Sequence, residues 1–204
     1  MDIRQLSVGS LETNCYIVAS GKDCVVVDPG GEAERILSEI AACGCEVTAV
    51  LLTHGHFDHF LAAAEVQRET GAPVWVGEDD LLLLRDLGWM AQFLPQGLAL
   101  PSDVRALAEG DRVTVGDEEL SVIHTPGHSQ GSCCFLAPGI LFSGDLIFQG
   151  AVGRTDLPGG DPVELDRSLA RVADLPGDTV IYPGHGPVTK VAVEKERNPY
   201  LKMW

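Results

Sequence analysis

LLTHGHFDHFLAAAE, Leu51 to Glu65, decides how the rest of the chain is read. Within it, His54 to His59 hold three histidines and one aspartate, after an apolar run and before an alanine-rich helical pattern. Imidazole with carboxylate is a donor set for zinc, iron, manganese or cobalt, and a poor one for calcium or an all-thiolate site. In an extended loop His54 and His56 face the same side, because side chains alternate there. Asp58 and His59 are adjacent and point differently. One compact ion cannot take all four, so the spacing favours two ions, one on the His54 and His56 pair and one on the Asp58 and His59 pair.

The same pattern recurs further along the chain. Three more apolar runs each end in a polar cluster: SVI before His124-Thr125-Pro126-Gly127-His128, ILF before Ser143-Gly144-Asp145, and VIY before Pro183-Gly184-His185. If these runs are buried strands, their ends deliver imidazoles and a carboxylate to loops on a rigid scaffold. His124 lies inside a strand pattern and is expected to support a ligand or to pack in the core. Asp28, after Val25-Val26-Val27, reads equally well as a turn residue or as a buried acceptor for a ligand histidine. Asp58 also has the placement of a helix N-cap, which is compatible with metal binding.

Between these clusters, short β-branched runs alternate with helical patterns. YIVAS and CVVVDPGG read as paired strands, VTAVLL as another, and EAERILSEIAACG as a helix with Ile36, Leu37 and Ile40 on one side and Gly44 past its end. A helix is expected from Asp58 to Gly71. Residues 78–100 read as helical but weakly patterned, rich in apolar side chains, with core packing favoured over a lid or an oligomer contact. RVTV, LSVIHT, SCCFLA, ILFSG and TVIYPG supply further strands. DPVELDRSLARVA has Asp161 as cap, Pro162 at the first helical position and Leu165, Leu169 and Val172 on one face. The expected class is a layered α/β fold in one domain, residues 1–204.

The net charge of −16 disfavours nucleic acid or an anionic membrane as partner, since both reward basic surface. The start, MDIRQLSVGS, lacks the pattern of a signal peptide, and no run approaches the roughly 20 apolar residues of a membrane span. The cysteines, Cys43-Gly44-Cys45 included, read as small buried hydrophobes in a reducing, cytoplasmic setting.

THGHFDH, TPGHSQGS, FSGDLIF and YPGHG, in this order, resemble the metallo-β-lactamase fold superfamily, as do GSLETNCYIV and VVVDPGG near the start. The resemblance implies an αββα sandwich with the metals at one edge of its two sheets. It implies one metal on His54, His56 and His128, a second on Asp58, His59 and His185, and Asp145 bridging them. SGDLIFQGAVGRTDLPGGD and ERNPYL are similar to the small glyoxalase II-like hydrolases, which cleave the thioester S-D-lactoylglutathione. This implies two divalent ions, zinc first and iron or manganese next, and a hydroxide bridging them that Asp58 orients. Arg154 matches a basic glutathione-contacting position, and Lys190, Lys195, Arg197 and Lys202 are further basic candidates. The expected partner is a small thioester, with glutathione-derived ones among the candidates, and the expected state a monomer or homodimer. The chain ends at Trp204, soon after His185, and so is expected to lack the C-terminal helical domain of longer glyoxalase II enzymes. A glutathione persulfide dioxygenase with one iron, a lactonase, and a metal-stabilised binding protein are the competing readings.

Overall fold

The computed structural model describes residues 1–85 and 87–201. Six strands form the first sheet in sequence order: β1 (Asp2–Val8), β2 (Thr13–Ser20), β3 (Asp23–Val27), β4 (Glu46–Leu51), β5 (Val74–Gly77) and β6 (Val104–Leu107). β1 to β3 are antiparallel, and β3 to β6 run parallel. The parallel part needs three crossovers: α1 (Ala33–Cys43) makes the first, the pair α2 (Phe57–Phe60) and α3 (Ala63–Thr70) the second, and the segment holding two short 3-10 turns between β5 and β6 the third. Then come β7 (Arg112–Val115), β8 (Glu118–His124), β9 (Cys133–Ala137), β10 (Ile140–Gly144), the small hairpin β11 (Ile147–Phe148) and β12 (Ala151–Val152), α4 (Pro162–Ala173), β13 (Val180–Pro183), β14 (Thr189–Lys190) and α5 (Val191–Arg197). The second sheet has the order β14-β13-β10-β9-β8-β7.

Period-two alternation sorts the side chains into three apolar layers. Tyr16, Val18, Val25 and Val27 point inward and meet Leu120, Val122, Phe135 and Phe142 of the second sheet. Cys15, Ile17, Cys24 and Val26 point outward and pack under Ile36, Ile40, Ala63 and Val66 of α1 and α3. Leu141 and Ile181 face Leu165, Leu169 and Val172 of α4. Because helices cover the outer faces, β2 and β3 are buried almost throughout, which is why their sequences are continuous apolar runs. The architecture is the expected αββα sandwich. All six cysteines are free; Cys133 faces the inner layer and its neighbour Cys134 the outer one, both as packing residues.

Two helical expectations need correction. The helix expected from Asp58 to Gly71 is broken: the backbone N–H of Ala62 bonds to Pro29 O rather than continuing the helix. Asp58 does not cap it, since His56 occupies the N-cap position and Asp58 lies in the first turn with its carboxylate turned away. Residues 78–100 hold only two short 3-10 turns, Glu78–Asp80 and Gly88–Phe93, among irregular turns. Leu84 and Met90 from this segment are buried in the core, as expected, but Trp89 and Phe93 border the cavity described below. Among the described residues, no helix is long and apolar enough to cross a membrane.

Candidate metal centre

β4, β8, β10 and β13 end at the same edge of the sandwich, and the four polar clusters that follow them meet there. Backbone hydrogen bonds tie the loops together: Cys133 N to Thr53 O, Gly184 N to Gly144 O, and Asn14 N to Gly184 O. The approach is close enough to require glycine at position 184, where a Cβ would overlap Asp145 Oδ1.

The loops bring seven side chains together. Donor atoms of His54, His56 and His128 lie within 4.8 Å of one another, and so do those of Asp58, His59 and His185. A third such group, His54, His59 and Asp145, joins the two. Asp145 reaches both sides, with Oδ1 3.3 Å from His59 Nε2 and Oδ2 3.6 Å from both His128 Nε2 and His185 Nε2. Asp58 Oδ2 is 3.3 Å from His185 Nε2 and 3.5 Å from His59 Nε2.

The remaining ring nitrogens are held by the protein. His59 Nδ1 pairs with Asp28 Oδ2 at 2.9 Å, His128 Nδ1 with Arg154 O at 2.7 Å, and His185 Nδ1 with Leu11 O at 3.1 Å. Since the partners are acceptors, Nδ1 carries a proton in each, and Nε2 is the nitrogen turned toward the cluster. Thr53 Oγ1 donates its one proton to Asp28 Oδ2, so it accepts from His54 Nδ1 at 3.1 Å. Asp28 thus orients His59 directly and His54 through Thr53. His56 is the exception: its Nδ1 faces His128 Nε2 at 2.8 Å.

The cluster fits cations. His54 Nε2, His59 Nε2 and Asp145 Oδ1 are buried without a hydrogen-bond partner, an arrangement that costs free energy unless something binds them. Burial, aided by the neighbouring histidines, pushes His54 well below the usual imidazole range, and burial lowers His56 to about 3. Both are neutral, as ligands must be. Burial alone would lower His59, but Asp58, Asp145 and Asp28 outweigh it and raise its pKa. Burial likewise opposes the rise at His185, which the Asp58 hydrogen bond and Asp145 produce. Burial would raise Asp58 and Asp145, yet the imidazoles around them hold both below the usual carboxylate range. The carboxylates that raise His59 and His185 are the same groups that would favour a cation here.

The other expected residues fall as follows. Arg154 lines the cavity beside the cluster, with its guanidinium on Asp156 at 2.6 and 2.7 Å. His124 stands apart from the seven: its Nε2 bonds to Gln130 O. Lys195 Nζ caps Ala173 O, and neither it nor Lys190 or Arg197 lines the cavity; Lys202 lies outside the described residues. Sequence reasoning missed Asp80. It is buried and accepts from Gly55 N, Gly131 N and Ser129 Oγ at 2.6–2.8 Å, clamping the His54–His56 loop to the His128 loop. Its only signal was a third acid in GEDD, directly after a buried strand.

Comparison with known proteins agrees with this geometry. The sequence pattern described as the Metallo-beta-lactamase superfamily matches residues 8–185. Hydroxyacylglutathione hydrolase GloC of Haemophilus influenzae is 35% identical over 208 residues, covering 98% of each chain. The crystal structure of TTHA1623 in a di-iron-bound form is similar with a TM-score of 0.88 at 41% identity, covering 97% of this chain and 100% of that one. ETHE1 from Myxococcus xanthus is similar with a TM-score of 0.81 at 31% identity, covering 98% of this chain and 84% of that one.

Proposed function

Because the chain belongs to the metallo-beta-lactamase superfamily, we propose that its seven clustered side chains hold two divalent ions and that it hydrolyses a thioester, with S-D-lactoylglutathione the first substrate to assay. The observation that carries this reading is the grouping of three donors, three donors and a carboxylate between them. His54, His56 and His128 would take one ion, Asp58, His59 and His185 the other, and Asp145 both. Zinc suits this donor set, and iron and manganese do too; the di-iron form of TTHA1623 keeps iron in play. Ions held there would supply Lewis acidity to a water and to the scissile carbonyl.

The chain's own residues do the rest. Asp58 Oδ2, held by Thr13 Oγ1 at 3.2 Å, would bind its ion and orient the attacking water. Asp28 and Thr53 fix the tautomers of His54 and His59. Arg154, at the cavity wall, is the substrate-contacting candidate. The leaving thiol, with a pKa of ~8.5, departs as thiolate and needs no dedicated acid.

Elemental analysis of the purified protein and thioester hydrolysis followed by thiol release test this. Two zincs per chain with turnover are expected. His54→Ala or Asp145→Ala should abolish turnover and leave the far-ultraviolet dichroism unchanged; full activity in either variant would sink the assignment. The likeness to ETHE1 is compatible with a second reading, a persulfide dioxygenase using one iron. One iron per chain with persulfide-dependent oxygen uptake would favour it.

A further inference from the structure

The cavity over the metal centre is about 440 Å³ and has two unlike sides. One side is the ligand cluster. The other is apolar: Leu11, Phe57, Trp89, Phe93 and Leu157. Its aromatic part is continuous with the centre. The Trp89 ring meets the His56 ring edge-on at 5.7 Å, Phe93 meets Trp89 edge-on at 6.2 Å, and Phe93 stacks on Phe57 at 5.6 Å with an interplanar angle of 10°. Phe93 and Leu11 are 55% and 51% exposed, two large apolar side chains left open to solvent at the mouth of the same cavity. With the half-buried Phe57, Trp89 and Leu157 they form one contiguous apolar surface beside the cluster, the kind of patch that marks a binding site.

Charge argues in the same direction. Glutathione carries two carboxylates and an ammonium. Among the described residues, Arg154 is the one lysine or arginine lining the cavity, and Asp156 already holds its guanidinium by two hydrogen bonds. That exposed pair is weak enough to open, but opening it frees one cation for two carboxylates and leaves Asp156 beside them. The wall is matched to an uncharged partner. We propose that Leu11, Phe57, Trp89, Phe93 and Leu157 bind an uncharged apolar group, aromatic or branched, flanking the scissile carbonyl, so that the thioesters this chain prefers are apolar acyl thioesters rather than conjugates of a charged tripeptide. This rests on the thioesterase reading and narrows it.

The test uses the zinc-loaded full chain and one neutral thiol, N-acetylcysteamine, carrying acetyl, isovaleryl or phenylacetyl groups, with S-D-lactoylglutathione alongside. kcat/KM should rise at least about tenfold from acetyl to phenylacetyl and exceed that for S-D-lactoylglutathione. Phe93→Ala and Trp89→Ala should each shrink the phenylacetyl-to-acetyl ratio several-fold. Equal values across the acyl series, or S-D-lactoylglutathione as the best substrate, would overturn the apolar-group proposal while leaving thioester hydrolysis standing. Calorimetric binding of phenylacetate and acetate to the same protein separates the two ideas in the other direction. If no thioester is cleaved yet phenylacetate binds at least tenfold tighter than acetate, and Phe93→Ala removes the difference, the apolar site stands and the thioesterase reading falls. Equal binding of the two acids overturns the site.

Discussion

The Asp28 carboxylate accepts from Thr53 N at 2.7 Å, Thr53 Oγ1 at 2.7 Å and His59 Nδ1 at 2.9 Å. One buried carboxylate therefore sets the direction of two rings of the cluster, His59 directly and His54 through Thr53. Its backbone is held at φ +51°, a left-handed conformation that aspartate tolerates better than most side chains. Turn residue and buried acceptor, the two readings of this position, are both true of it. Asp28→Asn keeps the size and one acceptor oxygen but removes the charge and puts an N–H₂ where an oxygen was. Thr53 N loses its partner if the amide nitrogen takes the Oδ1 place, and Thr53 Oγ1 and His59 Nδ1 both lose theirs if it takes the Oδ2 place. Metal affinity should fall about 10- to 100-fold, measured by competition with a chromogenic chelator, with the fold intact by circular dichroism. Unchanged affinity would reduce Asp28 to a turn residue.

At the scale of elements, the C-terminal α5 acts on the centre from behind. Glu194 is fully buried and accepts from Thr189 Oγ1 at 2.6 Å and Gly150 N at 2.8 Å. Asn198, also buried, donates to Glu194 and to the carbonyls of Phe148 and Ala151. These bonds pin the β11–β12 hairpin. That hairpin leads into Gly153 and Arg154, whose carbonyl orients His128, and its Phe148 ring lies 5.9 Å from the His185 ring. Asn198→Ala leaves two carbonyls and a carboxylate oxygen short of a donor, so stability should drop by about 1–3 kcal/mol in urea titration. Metal binding should weaken as well; normal binding in the destabilised variant would show that the pin serves the fold alone. These contacts also mark where local pattern stops being informative. α4 was legible because its signals are local: Asp161 accepts from Val163 N and Glu164 N, Pro162 opens the helix, and an apolar stripe follows. The break at Ala62 was not, because its cause is Pro29, distant in sequence. Nor was the course of residues 78–100, where Asp80 answers to Gly55 and Gly131 instead of to its own neighbours. The ligand candidates were readable as types at strand ends; which nitrogen each histidine turns inward depends on Asp28, Arg154 O and Leu11 O, and only the fold supplies those.

For the whole molecule, a net charge of −16 draws cations toward an edge where Asp28, Asp58 and Asp145 are concentrated. Protons and metal ions compete there, and the sign of the competition follows from the shifts. His54 and His56 are lowered, so they are neutral in the ion-free protein and release nothing on binding. His59 and His185 are raised above the ordinary value of 6.5, so at that pH they are protonated and must lose their protons when an ion takes Nε2. Affinity should therefore increase with pH across the range where these two remain protonated, and the dependence should flatten once they are not. Proton release, read from zinc-binding heats in two buffers of different ionisation enthalpy, should be present at pH 6.5, persist above it, and decline only once the pH passes the raised values of His59 and His185. Because His59 and His185 both belong to the Asp58, His59 and His185 group, an ion bound there should account for most of the release. His185→Ala should remove part of it. Buffer-independent heats at pH 6.5 would mean that neither His59 nor His185 holds a proton against the metal, and that the carboxylates are neutralised in some other way.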